Sequence, residues 1–196
     1  MIFKLKREIR EAFISLLRQS FATNADYTWV DNYRQTKILI PEHWPMKYVK
    51  YPTVVVTAVP SGDLLKRTLQ YEYQETVHGP VSIDGSCVEG DIAERYGGGF
   101  ELNVNIDAAD LSHIVAEDVL DWVVMYVRWI ARDVLAASGI EVTGISQAGE
   151  RTQLIGNDQV FINGITVKVY SEWFEEIPIA VSETLKGICL EGVCVY

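Results

Sequence analysis

The chain is short of the residues on which most chemistry depends. Its three cysteines, Cys87, Cys189 and Cys194, are too few for the disulfide framework of a small secreted domain. Its three histidines leave little material for a metal or acid–base constellation. No apolar run reaches the roughly 20 residues that span a bilayer. The most hydrophobic helical stretch carries Asp118, Asp121, Arg128, Arg132 and Asp133. Basic charge is scarce as well, 17 Lys and Arg against 27 Asp and Glu, a net charge of −10. That balance argues against a general nucleic-acid-binding surface and remains compatible with a protein past which DNA slides without sticking. Met1-Ile2-Phe3-Lys4-Leu5-Lys6-Arg7 opens an amphipathic segment and lacks the apolar core of a secretory signal, so synthesis in the cytosol is the expectation. No internal repeat, Gly-x-Ser-x-Gly, Walker lysine or dinucleotide fingerprint occurs.

Periodicity is what the sequence has. Phe100, Leu102, Val104 and Ile106 alternate with polar residues, which predicts a strand with one buried face. Beyond Leu111 the spacing becomes helical. Ile114, Val115, Val119, Trp122, Val123, Tyr126, Val127, Ile130, Ala131, Val134 and Leu135 are expected to share one broad apolar face, with Asp110 as N-cap and Gly139 as the stop. A first amphipathic helix is read over residues 3–20 from Ile2, Leu5, Ile9, Phe13 and Leu16. Lys4/Glu8 and Arg7/Glu11 on its wet face have salt-bridge spacing. Its basic excess fits a partner-binding or membrane-surface helix as well as a helix docked on the core.

The remainder reads as strands and turns. Residues 21–50 form an aromatic arm holding a short strand at Lys37-Ile38-Leu39-Ile40. Tyr51-Pro52-Thr53-Val54-Val55-Val56 leads a valine-rich strand expected to be central, because both faces are apolar. Tyr71 and Tyr73 lie on a half-exposed strand, and residues 78–99 read as a long loop or hairpin extension with a short strand near 81–83. Gly97-Gly98-Gly99 reads as a flexible lead-in or bulge, since phosphate-cradling glycines follow a strand and open a helix. Residues 149–158 are expected to be a polar loop. Asn163-Gly164, between two apolar runs, is the strongest hairpin signal present. The tail suggests a mini-hairpin at Glu191-Gly192, which makes Cys189 and Cys194 a disulfide candidate or, alternatively, two small buried hydrophobes. The fold class is therefore α+β: a mostly antiparallel mixed sheet packed by an N-terminal amphipathic helix and one long central helix. A single domain over residues 1–196 is expected.

Chemistry can be drawn in two places. His113 and Glu117, four apart with Asp110 and Asp121 nearby, sketch a carboxylate/histidine metal site. Cys87 with His78 sketches a thiolate nucleophile. Neither matches an established motif. No catalytic residue, metal ligand or cofactor is therefore assigned.

The order of elements resembles the tail-terminator and tail-completion proteins of tailed bacteriophages, which join tail to neck. The pieces that carry it are Tyr51-Pro52-Thr53-Val54-Val55-Val56, Tyr71-Glu72-Tyr73-Gln74-Glu75, the strand at 100–107, Val119-Leu120-Asp121-Trp122-Val123, Gly139-Ile140, and Ser171-Glu172-Trp173 closing the last hairpin. The resemblance spans residues 3–175 and leaves 176–196 as an extension. It implies a non-enzymatic virion protein, a homo-hexameric ring that stops the tail tube and joins tail to head. Its partners would be tail-tube and neck or connector proteins, with DNA passing through the ring and no membrane involved. Tyr71, Tyr73, Tyr96, Trp173 and Phe174 are the candidate subunit interface. The alternatives are a small cytosolic hydrolase, metal-dependent or Cys/His, and a small-molecule or peptide-binding module using the Trp and Tyr residues.

Overall fold

The computed structural model describes residues 2–42, 50–60, 73–83, 86–155 and 158–178. Helix α1 (Ile2–Ala22) is followed by strands β1 (Thr53–Pro60), β2 (Tyr73–Ile83) and β3 (Ser86–Asp110). Helix α2 (His113–Tyr126) continues through a π turn (Val127–Ala131) into α3 (Arg132–Ala137), and β4 (Ile140–Ile155) and β5 (Asp158–Pro178) complete the order. The strands form one five-stranded sheet in the order β1-β3-β5-β4, with β2 paired to β3 off that path. The ladders β1–β3, β2–β3 and β4–β5 are antiparallel. The α+β expectation holds.

Two compact units divide the chain: Met1–Gly62 with Glu101–Ser171, and Asp63–Phe100 with Glu172–Tyr196. In the first, Leu102, Val104, Ile106 and Ala108 are buried on one face of β3, as the alternation predicts. Val54, Val56 and Ala58 stand opposite Ala108, Ile106 and Val104, so they share that face. α1 packs on β1 and buries Ile9, Phe13, Leu17 and Phe21. Each such side chain contributes about 1.5–3 kcal/mol. The other face of the sheet holds a smaller cluster of Ala109, Val160 and Ile162, against which Tyr51 and Ile155 pack.

Val54, Val55 and Val56 are buried, yet β1 lies at the end of the strand order and is not central. α1 covers it, and Leu39 bridges Thr53 along its outer edge, with Leu39 N–H donating to Pro52 and Val54 N–H donating to Leu39. The expected strand at 37–40 is this single bridge, with Ile38 and Ile40 buried beside it. The arm leading to it packs on the end of α1. The Trp29 ring lies under the Arg18 guanidinium at 5.3 Å, and the Trp29 backbone N–H donates to Phe21 O.

The helical register departs from the simple period. The α2 N-cap is Ser112; Asp110 Oδ1 accepts from Ser112 N–H at 2.7 Å, a turn just before the helix. Ala116, Val119, Leu120, Val123, Val127, Ala131 and Leu135 are buried, whereas Ile114, Ile130 and Val134 are exposed. Each step of four from Val123 to Leu135 rotates an α-helix by about 40° away from its buried stripe. The π turn adds a residue and cancels that drift, which turns Ile130 and Val134 outward. Trp122 is half-buried instead of filling the core: its Nε1–H donates to Ser20 Oγ at 2.8 Å and ties α2 to α1. Gly139, at φ +75°, ends the helix as expected, in a backbone region that glycine enters without steric cost.

The last hairpin turns elsewhere than expected. β4 runs through the stretch read as a polar loop, and its ladder with β5 continues to Ile155 opposite Asp158. Asn163 and Gly164 are buried in mid-strand, opposite Glu150 and Gly149. Gly164 is needed there for space: a Cβ would stand closer than 3.0 Å to Asp107 Oδ1 on β3. Residues 78–99 are likewise a ladder, with β2 and β3 paired from Tyr73↔Gly97 to Ile83↔Ser86 and a bulge after Val77. Gly97-Gly98-Gly99 is strand inside β3, not a lead-in.

Candidate functional site

Among the described strands β1, β2 and β4 each pair with one neighbour only, and β4 is the longest of the three, 16 residues against 8 for β1 and 11 for β2. From Ser146 to Leu154 every β4 side chain is exposed, Leu154 at 75%. A strand with both faces wet gains little by burial. It is held by its ladder to β5 and by side-chain bonds such as Thr143 Oγ1 to Lys168 O (3.2 Å) and Ser146 Oγ to Thr166 O (3.4 Å). Among the described residues no strand pairs with its other side, whose backbone donors and acceptors are the usual template for strand addition. Register shifts at Thr143 and Ala148 bend it.

Beside this edge lies a groove of about 530 Å³ between the central helix and β4. Val124, Val127, Ile145 and Ile165 give it an apolar floor; Arg128 and Arg132 supply its cations. The π turn forms part of its wall, placing Val127 in the core and Arg128 in the groove. Arg128 lies over the Trp129 ring at 5.5 Å, and neither guanidinium has a carboxylate partner among the described residues. Ile114, Met125, Trp129, Ile130 and Val134 expose a further apolar surface on the same helix, Trp129 to 70%, and Leu111 just before it is exposed as well. So much exposed apolar side chain on one element is the mark of a contact surface.

A polar ladder crosses β3, β5 and β4. Thr166 Oγ1 donates to Asn105 Oδ1 at 2.8 Å, and Arg151 Nη2 donates to Asp107 Oδ1 at 2.6 Å, past Gly164. His113 has carboxylates at both ring nitrogens, Glu117 at 3.5 Å from Nδ1 and Glu150 at 3.1 Å from Nε2, with Phe161 edge-on at 5.8 Å. The sequence pairs His113 with Glu117 by helical spacing. Glu150 comes from the far end of β4 and had no local signal. Asp110 and Asp121 are engaged elsewhere, the first before the α2 N-cap and the second on the groove wall. No group of three or more His, Cys, Asp or Glu arranged to hold a metal ion occurs among the described residues.

The register keeps His78 and Cys87 apart. His78 stands opposite Asp91, four residues along β3 from Cys87, or about 13 Å of strand. Of the candidate interface residues, Tyr73 is the first of β2 and pairs with Gly97, and Tyr96 is half-buried with its hydroxyl donating to Glu94. Trp173 and Phe174 belong to the end of β5. Tyr71, Cys189 and Cys194 lie outside the described residues. These positions fall in the second unit, whereas the β4 edge and its groove belong to the first.

Burial raises the hydroxyl pKa of Tyr27, Tyr51 and Tyr126 above the ordinary tyrosine value, and nearby carboxylates, Asp118 for Tyr27 and Asp158 for Tyr51, add to it. No described helix is long and apolar enough to cross a membrane. No family model matches this chain, and no curated protein matches its sequence.

Proposed function

We propose that this chain is a non-enzymatic assembly subunit that forms a ring at the tail–neck junction of a tailed phage, ending the tail tube and joining tail to head. The observation that carries the reading is the β4 edge, a long strand exposed on both faces from Ser146 to Leu154 and unpaired on one side among the described residues, with a groove to the central helix beside it. Such an edge joins subunits by main-chain hydrogen bonds that depend little on side-chain identity. The order of elements resembles tail terminators, and a net charge of −10 suits a lumen through which DNA passes without sticking. The virion location and the tube and neck partners belong to this proposal and rest on that resemblance.

The test is the mass of the purified protein by light scattering, alone and with tail-tube protein, with negative-stain images of the same fractions. Hexamers, or rings that form when tube protein is added, are the expected result. A monomer under both conditions refutes the reading.

A further inference from the structure

We propose that the groove beside β4 receives the acidic, aromatic end of β5 from a second copy of this chain, which adds to β4 as an extra strand. The proposal deepens the assembly reading and rests on it for the identity of the occupant. The acceptor combines three features: the β4 edge, unpaired among the described residues, an apolar floor including Val124 and Val127, and the two guanidiniums of Arg128 and Arg132. A partner must therefore be extended, carry large apolar side chains and bring carboxylates. The sequence Trp173-Phe174-Glu175-Glu176-Ile177-Pro178 meets all three conditions.

Geometry agrees with charge. β4 begins opposite Ser171, so residues 173–178 of β5 run past the start of β4 within their own chain. They are already in strand conformation, so docking costs little ordering entropy. Six residues extend about 20 Å, and the β4 residues lining the groove, from Val142 to Gln147, span a similar length. Asp121 lines the same groove seven residues before Arg128, about 10 Å along the helix, and repels acid at its own end. The carboxylates of an incoming strand are thereby directed towards Arg128 and Arg132, which sets its orientation. Donor and acceptor are different surfaces, so the contact is heterologous and closes into a ring when the rotation per subunit allows.

Charge reversal tests this. In Arg128→Glu/Arg132→Glu the groove becomes acidic, and in Glu175→Lys/Glu176→Lys the strand becomes basic. Each variant alone should be monomeric at concentrations where the wild-type protein assembles, and an equimolar mixture should recover the wild-type mass. Circular dichroism melts confirm that both are folded. Wild-type assembly by either variant alone, or no recovery on mixing, overturns the inference and leaves the ring reading intact. If the wild-type protein is a monomer even with tube protein, the ring reading fails and a labelled peptide of residues 171–178 decides the groove. Salt-sensitive binding, weakened at least tenfold by Arg128→Glu/Arg132→Glu, supports it; no binding, or equal binding to both proteins, overturns it.

Discussion

Gly164→Ala separates two accounts of the last hairpin. In the structure Gly164 is a mid-strand residue, and an added Cβ would displace the Asp107 carboxylate that accepts from Arg151. Asp107 is mostly buried, at 15% side-chain exposure, while Arg151 is 57% exposed. Solvent screening limits the lost pair to about 0.5–1 kcal/mol. Forcing the Asp107 side chain off its rotamer adds about 0.5–1.5 kcal/mol. The reduced freedom of the unfolded chain returns about 0.4–1 kcal/mol. The net loss is about 1 kcal/mol, read as a fall of about 2–4 °C in the melting temperature of a chain this long. In an Asp107→Ala background the obstacle is gone, and the same substitution should be stabilising by about 0.5 kcal/mol. The assay is urea unfolding of the four proteins of this double-mutant cycle. If Gly164 were instead the second residue of a two-residue hairpin, alanine would cost about 1 kcal/mol in both backgrounds, because a positive φ has nothing to do with Asp107. An equal loss in both backgrounds refutes the mid-strand account.

Other outcomes follow from the same geometry. Leu135→Ala should cost about 2–5 kcal/mol and Val134→Ala less than about 1 kcal/mol by chemical denaturation; an uninterrupted α-helical period predicts similar costs for both. Trp122→Phe should lose about 1 kcal/mol, mainly the bond to Ser20, and that loss should largely vanish in a Ser20→Ala background; a full-size loss there refutes the tie between α1 and α2. Tyr27, Tyr51 and Tyr126 hold their protons more tightly when folded. Their contribution to stability is complete below the unfolded pKa of about 10 and is lost as pH rises through the higher folded values. Melting temperature should therefore fall above about pH 10, and the loss should shrink in the triple Tyr→Phe protein. Replacing residues 78–92 by an Asn-Gly turn should leave the unit of residues 1–62 and 101–171 folded, seen as an unchanged near-ultraviolet spectrum from Trp122 and Trp129.

Sequence by itself determined the elements whose burial is one-sided. The alternation at Phe100, Leu102, Val104 and Ile106, the helical stripe through Val119 and Val123, the amphipathic α1 and the glycine stop at Gly139 each follow from a local period or a single backbone requirement. Such signals are complete within a few residues, so they can be read without knowing the distant partners. Tertiary structure decided the rest. Asn163-Gly164 is a turn by local preference and a strand in fact, because the pairing of β4 with β5 carries the chain past it, and the glycine there leaves space for the Asp107 carboxylate of β3. β1 reads as central because both its faces are apolar, yet it lies at an edge closed by α1 and Leu39. The outward turn of Ile130 and Val134 depends on one π turn, set by what Ala131 and Leu135 must reach. The groove beside β4 draws on residues 120–165, and the Glu150 carboxylate at His113 comes from 37 positions away in number alone. Surfaces of this kind have no period along the chain, since their residues become neighbours only when the sheet has formed.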